Sequence, residues 1–268
     1  MFPDPWLAAV LVLLGCGGGF LAGLLGVGGG MVLVPFLTAI LSRLGVETAL
    51  SVKMAIATAM ATILFTSLSS IRAHHRRGAV RWNLVRTLAP GIVLGGLFSG
   101  AGVFALLKGS VLAAVFAVFV GFSATQMLFD RKPEPSRQMP GPAGSLAMGG
   151  GIGFISGLVG AGGGFLSVPL MVWCNVAMHH AVATSAALGF PIALANTAGY
   201  VIGGWSIQSG LPGALGYVWV PGLLLIVSAS VLTAPLGARV AHGLDTRRLK
   251  RVFAITLYGM AAYMLTRV

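Results

Sequence analysis

The sequence predicts an all-α polytopic membrane protein built from two inverted-topology repeats, each a glycine-broken helical pair plus three transmembrane helices. Three observations predict it. Of the 268 residues, 57% are hydrophobic and only 8% charged, against about 25% charged in a soluble domain. The segment FLAGLLGVGGGMVLVPF at 20–36 returns 134 residues later as FISGLVGAGGGFLSVPL at 154–170, with nine of 17 positions identical. Finally, equivalent loops carry opposite charge. Loop 72–86 holds Arg72, His74, His75, Arg76, Arg77, Arg81 and Arg86, while its counterpart SIQSGLPG at 206–213 has none; in the next loop the first half has only Lys108 and the second has Arg239, Arg247, Arg248, Lys250 and Arg251. Lys and Arg stay on the cytoplasmic side of a membrane, so equivalent loops face opposite sides.

The elements follow in order. Stretch 7–41 is longer than the roughly 20 residues of one span and short for two, so it reads as a helical pair with one member short or re-entrant, broken at the glycines. Apolar runs 48–71, 87–107 and 110–129 complete the first half. A polar, proline-rich linker starting at Asp130 separates the halves. Stretch 144–177 repeats the broken pair, and 181–205, 216–237 and 252–267 repeat the three spans. The organisation is therefore a first repeat at 1–129, a cytoplasmic linker at 130–143 and a second repeat at 144–268. Pro90, Pro191, Pro221 and Pro235 read as helix kinks or helix starts. The first apolar segment lacks a basic leader and an A-x-A-like site, so it is expected to stay in the mature protein.

Placing the basic loops inside puts both termini outside. A parallel arrangement of four crossings per half would leave one of the two strongest basic loops outside and ranks lower. The net charge of +12 invites a nucleic-acid reading, but the basic residues cluster at the ends of apolar runs, as cytoplasmic loop charges do. No nucleic-acid partner is expected; the lipid bilayer is. Cys16 and Cys174 have no metal-ligand spacing and read as packing residues.

Inverted repeats with matching helix breaks are the pattern of secondary transporters, whose site lies where the breaks meet. After each GGG the chain restarts as a helix, and the first N–H groups of a helix lack an internal partner at the positive end of its dipole. Gly28, Gly29, Gly30, Gly162, Gly163 and Gly164 are thus candidate anion-binding positions. The same glycines also suit close helix packing, and both readings stand. All five acidic residues, Asp4, Glu47, Asp130, Glu134 and Asp245, fall in termini or loops, so no carboxylate is placed for the usual proton or sodium relay. Lys53 is the one charge well inside a span. It either snorkels to the interface or attracts an anion. Lys53 aligns with Ser185 in the second half, and Thr184, Ser185 and Asn196 are candidate donors to substrate oxygens unless they bond their own helices. Thr58, Thr62 and Thr66 share a helix face that can line a path or pack. His179 and His180 read as a solvated turn.

The two G-x-x-G-x-GGG-x-x-x-VP motifs, RRGAVRW at 76–82 and APLGARVAHGLDTRRLKRVF at 234–253 resemble the sulfite exporter TauE/SafE family, also called the toluene sulfonate uptake permease family. The resemblance covers almost the full chain. It implies a multi-pass protein of the bacterial inner membrane that moves a small anionic substrate, sulfite or an organosulfonate, without a cofactor. One departure stands out: the pattern AVATSAAL at 181–188 has ALSVKMAI as its first-half partner, with Lys53 in the serine place. The expected function is an anion transporter alternating access around the two breaks. Import of another organic anion, or a structural or signalling role, are the alternatives. An enzyme is not expected, because no nucleophile–base or metal constellation is present.

Overall fold

Almost every segment of the computed structural model is helical, because a backbone in hydrocarbon must satisfy its polar groups internally. The structure describes residues 4–25, 29–129, 136–207, 209–241 and 246–268. The first half comprises α1 (Pro5–Leu25), α2 (Gly30–Arg43), α3 (Thr48–Arg76), α4 (Trp82–Leu97), a π-helical turn at Phe98–Val103, α5 (Phe104–Leu106) and α6 (Gly109–Phe129). The second half comprises α7 (Pro142–Val159), α8 (Gly164–Trp173), α9 (Met178–Gly203), a hairpin of β1 (Ala214–Leu215) and β2 (Val218–Trp219), α10 (Val220–Ala241) and α11 (Thr246–Leu265). Among the described residues, seven helices are long and apolar enough to cross a membrane. The protein is an all-α polytopic membrane protein.

The glycine stretches form helical pairs with a short second member. At 14 and 10 residues, α2 and α8 reach roughly 21 and 15 Å at 1.5 Å per residue, less than the roughly 30 Å of a bilayer core. The chain doubles back at each break. A Cβ on Gly29 would stand 2.5 Å from Gly18 O, and one on Gly163 would stand 3.4 Å from Ser156 Oγ. Pro142 sits at the start of α7, where its missing N–H costs nothing.

Small residues set the helix seams. A Cβ on Gly15 or Gly19 would strike the α10 backbone at Ile226 or Ser230; Gly149 and Gly153, their equivalents at the 134-residue offset, meet the α4 backbone at Leu88 and Ile92. So α1 packs along α10 as α7 packs along α4, and α6 pairs with α11. At the centre α3 and α9 lie side by side in opposite senses. The loop after α3 bonds the start of α9, where His180 Nδ1 lies 2.7 Å from Ala79 O. The other end of α9 meets the hairpin that covers the start of α3.

Several boundaries differ from the sequence reading, α4 and α11 each starting earlier, at Trp82 and Thr246. The run 216–237 was expected to be helical throughout, yet residues 216–219 belong to the hairpin. Gly213 and Gly216 have φ of +79° and +58°, conformations that glycine adopts without strain, and Pro221 is the second residue of α10, where proline favours a helix start. The helix at 48–71 instead runs on to Arg76, carrying basic side chains past the apolar run. Pro90, Pro191 and Pro235 lie inside helices. The π-helical turn occurs where Gly100 closes on α9: its Cβ would be 3.0 Å from Gly199 Cα.

Candidate functional site

The second glycine break is built from two left-handed glycines. Gly160 (φ +72°) caps α7, its N–H bonding Ser156 O at 2.9 Å, and Gly163 (φ +76°) opens α8. Any side chain at these two angles is strained. The N–H groups of Gly164 and Phe165 meet no acceptor among the described residues. Ser167, one turn on, lies with its Oγ 2.9 Å from Gly163 O and 2.7 Å from Ser185 Oγ, joining α8 to α9.

The two breaks come together. A Cβ on Gly30 would stand 2.5 Å from Gly160 O, and one on Gly160 would stand 3.3 Å from a methyl of Val34. Ile63 of α3 lies against both, 2.8 Å from a Cβ on Gly30 and 3.3 Å from one on Gly162. Beside this junction lies a cavity of about 190 Å³. Its wall includes Gly162, Gly164 and Ser185 from the second half, and Thr66, Ser67 and Ser70 from α3. His74 and Arg77 line it where α3 ends, and among the described residues no carboxylate lines it. Thr66 and Ser67 donate to carbonyls of their own helix, so the free helix-start N–H groups and the guanidinium are the clearest uncommitted donors. Among the described residues, the lining thus carries a positive charge and uncommitted donors with no acidic partner.

Of the sequence-predicted residues, Gly162, Gly164 and Ser185 line this cavity together, with Thr66 from the threonine face. Gly29, Gly30 and Gly163 form the junction beside it. Gly28 lies outside the described residues. Lys53, Thr184 and Asn196 stand elsewhere. Thr184 Oγ1 accepts the Arg81 N–H at 3.0 Å, fastening the loop after α3. Asn196 donates through Nδ2 to Ile192 O (2.9 Å) and Gly153 O (3.3 Å), and its Oδ1 faces Gly157 without a partner among the described residues. Lys53 Nζ donates to Ala105 O at 2.9 Å and lies 5.3 Å from the centre of the Tyr217 ring. Thr62 bonds Ala59 O, and Thr58 accepts the Trp219 N–H. His180, whose ring lies tilted against that of His179, holds the loop at Ala79.

Sequence reasoning missed Ser67, Ser70, His74 and Arg77. The hydroxyl-rich run TSLSS at 66–70 was the available signal; His74 and Arg77 were hidden because they look like ordinary loop charge.

The family model for the sulfite exporter TauE/SafE matches residues 11–264. The chain belongs to this family. That family is one of membrane transporters, not of enzymes, and the seven apolar helices among the described residues are long enough to span a membrane. It is similar to a "Probable membrane transporter protein" of Haemophilus influenzae, 34% identical over 94% of this chain and 96% of the relative. A relative of the same printed description from Methanocaldococcus jannaschii is 26% identical over 97% of this chain and 96% of its own length, and one from Bacillus subtilis is 27% identical over 92% and 93%. No solved structure matches the chain.

Proposed function

We propose that this TauE/SafE transporter carries small anions, sulfite or organosulfonates, across the bacterial inner membrane by alternating access around the junction of its two glycine breaks. The cavity carries this reading: it joins the second break to hydroxyls of α3 and α9, His74 and Arg77 line it at the end of α3, and among the described residues no carboxylate lines it. An oxyanion leaving water must exchange its hydration for other donors. Helix-start N–H groups, Ser and Thr hydroxyls and a guanidinium are suitable replacements.

The opposite senses of α3 and α9 and the matched glycine seams support a pair of inverted repeats, 1–129 and 144–268, that rock against each other. The positive-inside rule then sets the basic ends at 72–86 and 239–251 in the cytoplasm and both termini in the periplasm. On this reading the cavity opens to the cytoplasm, and the hairpin end closes the periplasmic side. Gly29, Gly30 and Gly163 shape the junction, Gly162, Gly164 and Ser185 contact the anion, and Thr184, Asn196 and Lys53 hold the surrounding elements in register.

Uptake of labelled sulfite into proteoliposomes, with taurine, sulfoacetate, sulfate and acetate as competitors, tests the cargo. Saturable sulfite flux suppressed by the sulfonates is expected. Flux no higher than that of empty liposomes for every one of these anions would refute the reading. Reversing the anion gradient separates export from import of an organic anion.

A further inference from the structure

The end of the molecule opposite the cavity is closed by the hairpin. Tyr217, Val218 and Trp219 are each 2–3% exposed, unusual for a connection between helices, which ordinarily runs over the surface. Their burial is supported by specific bonds. The Trp219 N–H is accepted by Thr58 Oγ1 at 3.0 Å, and the Tyr217 N–H points to Tyr200 O at 3.4 Å. Phe104, Tyr200 and Tyr217 form an aromatic cluster with ring centres 4.4 and 5.4 Å apart.

Lys53 spans this assembly from one side. Its ammonium bonds Ala105 O near the C-terminal end of α5, where a cation is favoured, and lies over the Tyr217 ring. Both partners are uncharged. Among the described residues no carboxylate stands within ion-pair distance, so the contacts are weak enough to break in a transport cycle while still favouring the closed arrangement. Tyr200 ties the same cluster to the break: its hydroxyl donates to Gly157 O, in the last turn of α7 before Gly160. Movement at the break and movement of the hairpin therefore share one buried side chain.

We propose that the hairpin is the gate at this end of the molecule and that Lys53 is its latch, released when the second glycine break moves and drawn through Tyr200. This rests on the alternating-access reading above. Lys53 is a positioning residue for transport: it biases the population of two arrangements.

The test uses the full chain in membranes, with Cys16 and Cys174 replaced by alanine and one probe cysteine added, either Val218→Cys behind the hairpin or Ser70→Cys in the cavity. Each is labelled with a membrane-impermeant thiol reagent from its own side. Lys53→Met is expected to speed labelling at 218 about tenfold, as a tenfold rise in a minor open population gives, with no rise at 70. Lys53→Arg is expected to restore the rate at 218, and Tyr217→Leu to act like Lys53→Met but less strongly. Unchanged labelling at 218, a rate at 70 that rises with it, or failure of the arginine to restore would overturn the latch. Labelling is read without any cargo. Absent sulfite flux would therefore remove the proposed substrate and leave the gate standing.

Discussion

The connections α3–α4 and α9–α10 occupy the same place in the duplicated plan and have opposite fates. The first, at 77–81, is short and basic, and Arg77 lines the cavity. The second, at 204–219, ends in a hairpin whose last three residues before α10 are buried. A connection full of guanidinium groups must stay with water and cannot fold back over the path; one with no charge and several glycines can. Each is nevertheless fastened by the same device, a threonine of the opposite central helix accepting the N–H just before the next helix begins. Thr184 of α9 serves Arg81, and Thr58 of α3 serves Trp219. One plan gives an open end and a sealed end because the charges differ.

The largest effect should come from the junction between the two ends. Gly163→Leu places a side chain at φ +76° against Ile192 and Ser156, adding about 1–2 kcal/mol of backbone strain to a clash. Anion flux in proteoliposomes should fall to the level of empty vesicles. Gly151→Leu, on an exposed face of α7 with nothing within 4 Å of its Cβ position, should transport normally. If both variants transport alike, the breaks are not the route between the ends.

At the open end, Arg77→Gln should raise the KM for a loaded anion about tenfold, or ~1.4 kcal/mol. The deficit should narrow as added salt screens the native guanidinium. A salt-independent loss would assign Arg77 to packing.

Comparing the two fasteners is the next test. Thr58→Val strands the Trp219 N–H in a dry enclosure and should cost about 1–3 kcal/mol of stability, read as a lower melting temperature in detergent. Arg81 is exposed, so water can replace the lost acceptor in Thr184→Val, and that variant should lose about half as much or less. Equal losses would mean that the hairpin end is as wet as the loop end.

How much of this was legible depended on scale. Hydropathy and the repeated motif marked the helices and the breaks, because bilayer thickness and backbone satisfaction constrain long stretches of chain. The hairpin was not legible, since 216–219 carries no charge and runs directly into the apolar helix that follows, and only Gly213, Gly216 and Pro221 mark the turn. Lys53 was visible as an unusual charge, yet its partners, Ala105 O and Tyr217, lie far along the chain. Thr184 and Ser185 were equivalent candidates by sequence, but one helical step of about 100° turns Thr184 to the loop and Ser185 to the cavity.

That divergence between neighbours supports the smallest and most discriminating prediction. Ser185 Oγ reaches both the cavity wall and Ser167, so Ser185→Ala removes one donor of several and leaves Ser167 its bond to Gly163 O. A net hydrogen bond of about 0.5–1 kcal/mol corresponds to a two- to fivefold rise in KM, with stability little changed. Thr184→Val should do the reverse, lowering stability while leaving KM near its original value. A rise in KM for Thr184→Val with none for Ser185→Ala would move the anion out of the cavity and toward the loop, and the open end would then be the binding site itself rather than its mouth.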